Sequence, residues 1–102
     1  MKMLQAEMYK ALASPVRLQI IELLDGGEKC FSDIQESVVG LKSTLSQNLS
    51  IMTNVGLLLV RKESRCNYYQ LSSPQVGLLY HIMREVLIRN LEQQSMLLNE
   101  AK

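Results

Sequence analysis

Residues 32–56 read SDIQESVVGLKSTLSQNLSIMTNVG, and their pattern of polar and apolar residues predicts two helices joined by a turn. Its first half predicts a helix that begins at Ser32, because Gln35 completes a capping box three residues later. Gly40 marks a turn. The second half predicts a helix over about residues 42–55, whose buried stripe has helical spacing and consists of Leu45, Leu49 and Met52. Two helices joined by a short turn are typical of a helix-turn-helix unit.

The flanking sequence predicts the rest of a winged arrangement. Ser14-Pro15 begins a helix, and Gly26-Gly27 ends it. The other predicted elements are a helix over 2–12, a strand over 28–31, strands over 57–62 and 66–71 around a turn at Glu63-Ser64, and a helix over 74–99. The predicted fold class is mainly α with a small β-hairpin wing, a winged helix-turn-helix of order α-α-β-α-α-β-β-α.

Length and composition predict one globular domain over residues 1–102. Hydrophobic residues make up 47% and charged residues 21%, a balance usual for globular proteins. The first residues lack the apolar core of a signal peptide, and the apolar run Leu57–Val60 is far shorter than a membrane span. We therefore expect a cytoplasmic protein with no membrane contact.

Positive charge is concentrated in one segment of the chain. Residues 1–41 contain four basic and six acidic side chains, residues 42–65 four basic and one acidic, and residues 66–102 three of each. A basic segment of this kind is typical of a surface that binds phosphate. A solvated face that happens to be basic is the alternative.

The helix over 42–55 has the composition expected of a helix that contacts double-stranded DNA. It contains no acidic residue, whereas most surface helices carry Glu/Lys pairs. Gln and Asn pair with adenine in the major groove, and Ser and Thr bond to several bases or to phosphate. We predict base contacts from Ser43, Thr44, Ser46, Gln47 and Asn48. We predict phosphate contacts from Lys42, Arg61, Lys62 and Arg65.

The last predicted helix carries an apolar band that is too wide for one contact with a small core. A second copy of the same helix would cover the remainder. We therefore predict a homodimer in which the terminal helices, 2–12 and 74–99, form the interface. A helix packed fully inside a monomer is the alternative.

Several motifs, taken in order, resemble the arsenical-resistance repressor (ArsR/SmtB) family. They are ALASPVRL at 11–18 with IIELL at 20–24, KSTLSQNL at 42–49, VGLL at 55–58, and the wing pieces RK at 61–62 and YYQL at 68–71. The resemblance covers roughly residues 10–72. It implies a homodimeric winged-helix repressor that leaves its operator when an inducer binds or oxidises it. Gln47-Asn48 replaces the family's frequent Arg-His, which implies a different operator, and Gly40-Leu41 lies one position late in the turn.

Members of this family often sense metals, but the corresponding ligands are sparse here. Cys30-Phe31-Ser32 retains one thiol of a Cys-x-Cys pattern, and the last helix offers His81 and Glu85 alone. We predict no metal site and no cofactor. Cys30 and Cys66 lie on elements expected to pair, so a thiol switch, soft-metal or arsenite binding, and inert packed cysteines all stay open.

The favoured function is a DNA-binding transcriptional regulator, a repressor that binds a palindromic operator as a homodimer and responds to an unknown inducer, with Cys30 and Cys66 as candidate sensors. A winged-helix module for protein–protein contact alone is the alternative. An enzyme is excluded, because His81 has no evident nucleophile partner and neither paired carboxylates nor a Gly-rich phosphate loop occurs.

Overall fold

A computed structural model describes residues 1–100 and contains five helices and three strands within them. In chain order these are α1 (Lys2–Leu12), α2 (Pro15–Leu24), β1 (Lys29–Cys30), α3 (Phe31–Ser37), α4 (Lys42–Asn54), β2 (Leu58–Glu63), β3 (Cys66–Leu71) and α5 (Pro74–Glu100). This order is that of the predicted winged helix-turn-helix.

Two helix ends follow directly from local sequence. Ser14 is extended, and its hydroxyl oxygen accepts from the Arg17 backbone N–H at 3.4 Å, with Pro15 in the first turn of α2. At the end of α4, Gly56 adopts a φ of +86°, which L side chains rarely adopt. The Leu57 N–H then donates to the Met52 carbonyl at 2.9 Å, and the Gly56 N–H donates to Thr53 at 3.1 Å. These two bonds make a Schellman motif.

The predicted start of α3 is wrong by one residue. The helix begins at Phe31, its N-cap is Cys30, and no side chain caps it. Ser32 lies inside the first turn, where its hydroxyl contacts the Cys30 sulfur at 3.1 Å instead of forming a capping box. The reason is tertiary: Cys30 pairs with Tyr68 of β3, so the chain enters the helix directly from the strand.

The three strands form one antiparallel sheet in the order β1-β3-β2. Pairing of Glu63 with Cys66 leaves Ser64 and Arg65 as a two-residue loop. Both have positive φ, 51° and 66°, as a type I′ hairpin turn requires. The turn therefore lies one residue later than the predicted Glu63-Ser64, and it forms without glycine.

The core lies between the helix-turn-helix unit and the base of the wing. Its fully buried large side chains come from α2, α3, α4 and the start of β2: Ile20, Ile21, Leu24, Ile34, Leu49, Met52 and Leu58. The first turns of the long helix α5 pack against this core through Val76 and Tyr80. Every residue of α5 from 81 to 100 is exposed. Of the helices within residues 1–100, none combines the length and apolar content that crossing a membrane demands.

Candidate nucleic-acid interface

Helix α4 has one buried side and one exposed polar side. Leu45, Leu49 and Met52 are buried, with 4%, 0% and 0% of their surface accessible. Because the helix repeats every 3.6 residues, most of its other side chains point away from the core, and only Asn48, Ile51 and Thr53 are half-buried. The exposed polar residues of α4 are Lys42, Ser43, Thr44, Ser46, Gln47, Ser50 and Asn54. All the predicted base-contacting residues except Asn48 are among them.

Asn48 is half-buried and bonded inside the protein. Its carboxamide oxygen accepts from Arg17 Nε at 2.8 Å, and Arg17 Nη1 donates to the Ala11 carbonyl at 3.5 Å. That bond fixes the orientation of the Asn48 carboxamide, whereas a bidentate pair with adenine needs both the oxygen and the NH₂ group turned toward the base. Asn48 therefore ties α4 to α2 and α1 in this structure. Arg17 was missed by sequence reasoning, although it precedes Ile20 and Ile21 by one helical turn on the core side of α2.

The N-terminus of α4 combines a lysine with free backbone donors. Lys42 is exposed, and its Nζ lies 5.9 Å from the centroid of the Phe31 ring. The N-cap is Leu41, which offers no side-chain hydrogen bond. The first N–H groups of α4 have no intrahelical acceptor, so this end favours an anion.

The wing presents two further cations at its tip. Lys62 is near the end of β2, and Arg65 is in the hairpin turn. Both are exposed, and neither forms an ion pair with any other residue in the described part of the chain. Their charges are therefore available to a polyanion.

Arg61 differs from the other predicted phosphate ligands, because two carboxylates already hold it. It donates to Glu28 through Nε at 2.9 Å and Nη2 at 2.7 Å, and to Glu63 through Nη1. Its guanidinium carbon lies 4.5 Å from the centroid of the Tyr68 ring. These bonds lower the pKa of the Glu28 carboxyl and raise the pKa of Arg61. Arg61 thus fastens the wing to the segment before β1, a role that sequence reasoning missed because Glu28 is 33 residues away.

The two cysteines are free thiols on neighbouring strands. Cys30 is half-buried and faces Tyr68, whereas Cys66 is exposed and faces Glu63. This register makes them diagonal neighbours, with Cα atoms about 7–8 Å apart on the usual sheet geometry. A disulfide needs Cα atoms within about 7 Å, so linking them requires backbone movement.

His81 and Tyr80 hold α5 against the C-terminal half of α2. His81 Nε2 lies 2.7 Å from Asp25 Oδ2, and the Tyr80 hydroxyl donates to Glu22. The Glu22 bond raises the pKa of Tyr80. The partner of His81 is thus Asp25 at the end of α2, and not Glu85 one turn away on its own helix.

An apolar groove of about 690 Å³ lies where α1, α2 and α5 meet, and it continues into the exposed face of α5. Its lining includes Tyr9, Leu12, Leu18, Leu79, Met83 and Leu87. Beyond it, Ile82, Val86 and Leu91 are each about half exposed, at 47%, 45% and 54%. The alternative of a last helix packed fully inside a monomer is therefore contradicted.

The chain is similar in sequence and in structure to known regulatory proteins. The profile of the family described as "Bacterial regulatory protein, arsR family" matches residues 14–60. Rv0081 of Mycobacterium tuberculosis, an uncharacterised HTH-type transcriptional regulator, is 32% identical over 97% of this chain and 88% of its own length. Its crystal structure superposes with a TM-score of 0.84 at 31% identity, covering 92% of this chain and 95% of that one.

Two further relatives add detail. The homodimeric winged helix-turn-helix DNA-binding domain of Mb0332 from Mycobacterium bovis has a TM-score of 0.80 at 32% identity, over 88% of this chain and 83% of that domain. An arsenical resistance operon repressor from Staphylococcus xylosus is 35% identical over 62% of this chain and 61% of its own length. With a winged helix-turn-helix fold and relatives that span nearly its whole length, this chain belongs to the arsR family of bacterial regulatory proteins and is a transcriptional regulator, not an enzyme.

Proposed function

We propose that the chain represses transcription by binding a palindromic double-stranded DNA operator as a homodimer, with α4 in the major groove. The observation that carries the proposal is the exposed side of α4. It presents hydroxyl and amide groups without a carboxylate, and Leu45, Leu49 and Met52 fix it to the core. Ser43, Thr44, Ser46 and Gln47 contact base edges, and Asn48 contributes through its bond to Arg17.

Electrostatics support the same orientation. Lys42 at the start of α4, and Lys62 and Arg65 on the wing, are the predicted phosphate ligands without a carboxylate partner among residues 1–100. Phosphate contacts set the position of a protein on the duplex, and base contacts set its specificity. Arg61 acts on DNA indirectly, by holding the wing through Glu28.

We further propose that each chain forms one domain and that two chains form a homodimer. We assign residues 1–102 to one winged helix-turn-helix domain and the dimer interface to the terminal helices, 2–12 and 74–99. The exposed apolar face of α5 supports this interface, and the homodimeric M. bovis domain is a precedent. A two-fold axis would place two recognition helices about one turn of DNA apart. Action on chromosomal DNA implies a cytoplasmic location.

Binding-site selection tests the proposal. The full chain is incubated with a random-sequence duplex library, and bound DNA is amplified and sequenced over several rounds. We expect enrichment of an inverted repeat whose half-sites are about 10–11 base pairs apart. A library that remains random, with a protein that stays folded and dimeric, would exclude sequence-specific binding and favour the protein-interaction module.

Release by a thiol-directed signal at Cys30 and Cys66 is the finer part of the proposal. Hydrogen peroxide would oxidise both thiols to one disulfide and leave two molecules of water. Because the diagonal register requires backbone movement, the bond would displace the wing relative to β1. Mass spectrometry and DNA affinity are measured together after mild peroxide. If the two thiols stay unlinked and the DNA affinity is unchanged, the switch is excluded. Cys66→Ser is the matched control, because it cannot form the disulfide.

A further inference from the structure

The turn before α4 exposes two aliphatic side chains beside the polar face of that helix. Val39 is 93% exposed and Leu41 is 72% exposed. Gly40 lies between them with a φ of +136°. Val38, just before them, is 7% exposed and packs in the core. Single apolar residues on a surface are common. These two, however, lie in a segment of the chain, from Ser37 to Lys62, that contains no acidic residue.

Leu41 is the N-cap of α4, so its side chain stands at the N-terminal end of the helix. In helix-turn-helix proteins this end of the second helix contacts base edges. It forms no capping hydrogen bond, and a Ser, Thr, Asp or Asn would cap better at this position. Among the exposed side chains of the N-cap and the first two turns of α4, it is the only purely aliphatic one. The other members of that set are Lys42, Ser43, Thr44, Ser46 and Gln47.

Thymine is the one base that presents a methyl group in the major groove, and apolar side chains recognise it by contact. We propose that Leu41 reads thymine in each half-site by packing on its C5-methyl group. The inference rests on the proposed function, because it requires α4 to enter the major groove. It adds an apolar element of specificity to the hydroxyl and amide contacts of the same helix.

The test removes the methyl group from the DNA and the side chain from the protein, singly and together. In the duplex obtained by selection, each thymine is replaced in turn by deoxyuridine, which keeps base pairing and lacks only that methyl. Affinities are measured for the wild type, for Leu41→Ala and for Leu59→Ala. Leu59 is the control because it is a half-exposed leucine on the wing strand β2, 50% accessible.

We expect one thymine in each half-site at which deoxyuridine weakens wild-type binding about fourfold, the value of one buried methyl group. Leu41→Ala should bind the thymine duplex more weakly and show no further loss with deoxyuridine, whereas Leu59→Ala should keep the fourfold loss. Equal losses for wild type and Leu41→Ala, or no loss at any thymine, would overturn the inference. Failure of the selection itself would instead overturn the proposed function. Circular dichroism confirms that each variant is folded.

Discussion

The arginines of the wing show that residues with the same charge have different roles. Arg61 is held by Glu28 and Glu63, whereas Arg65 in the hairpin turn has no such partner among the described residues. A count of charges along the sequence predicted both arginines as phosphate ligands, because the sequence does not show which arginine is paired with a carboxylate. In the structure only Arg61 is paired with carboxylates, and this difference should be measurable in the salt dependence of DNA binding.

We expect Arg65→Ala to weaken binding to all DNA sequences alike and to flatten the salt dependence. The slope of log K against log salt concentration is negative, and its magnitude should decrease by about 0.9 for each phosphate that a protomer no longer neutralises. Arg61→Ala should leave the slope nearly unchanged. Fluorescence anisotropy over a salt series gives both slopes, and a larger change for Arg61→Ala would reverse the assignment.

Sequence reasoning was most successful where a helix end depends on neighbouring residues. Ser14 and Gly56 were correctly placed because capping and positive φ are local properties. The start of α3 was wrong because Ser32 satisfies the local rule while the pairing of Cys30 with Tyr68 decides the outcome. The bonds of Arg17, Arg61 and His81 join residues 31, 33 and 56 positions apart, so no local pattern predicts them.

The C-terminal end of α4 gives a prediction at the scale of one element. Gly56→Ala places a Cβ on a residue with φ +86°, which should lower the free energy of unfolding by about 1–2 kcal/mol. Gly26→Ala is the matched control, because Gly26 is not among the positive-φ glycines and its Cβ would meet only the Leu23 carbonyl, at 3.7 Å. Urea denaturation compares the two variants. Equal effects would show that the Schellman motif does not require glycine.

The link between the wing and the segment before β1 predicts a pH dependence. Because the bond from Arg61 holds the folded pKa of Glu28 below its ordinary value, ionised Glu28 stabilises the fold above that value. This stabilisation is lost as the pH falls through the lowered pKa. Glu28→Gln should therefore be less stable than wild type at pH 7, with a difference that shrinks in acid. Denaturation at pH 7 and at about pH 3 measures it, and a difference independent of pH would contradict the link.

At the scale of the whole molecule, the exposed face of α5 predicts the oligomeric state. Leu87 lines the groove between α1, α2 and α5 and is 57% exposed. Leu87→Glu should place a charge in the dimer interface and give a folded monomer. Leu59→Glu, on the wing, should stay dimeric. Light scattering coupled to size-exclusion chromatography measures both masses, and a dimeric Leu87→Glu would place the interface elsewhere.

Gln47 is an exposed amide on the polar side of α4, so its removal measures sequence-specific reading of DNA by that helix. Affinities of wild type and Gln47→Ala are measured for the selected operator duplex and for a scrambled duplex of the same composition. Base readout by Gln47 predicts a loss of about 1–3 kcal/mol per half-site on the operator and almost none on the scrambled duplex. Equal losses on both duplexes, or no loss on the operator, would contradict it.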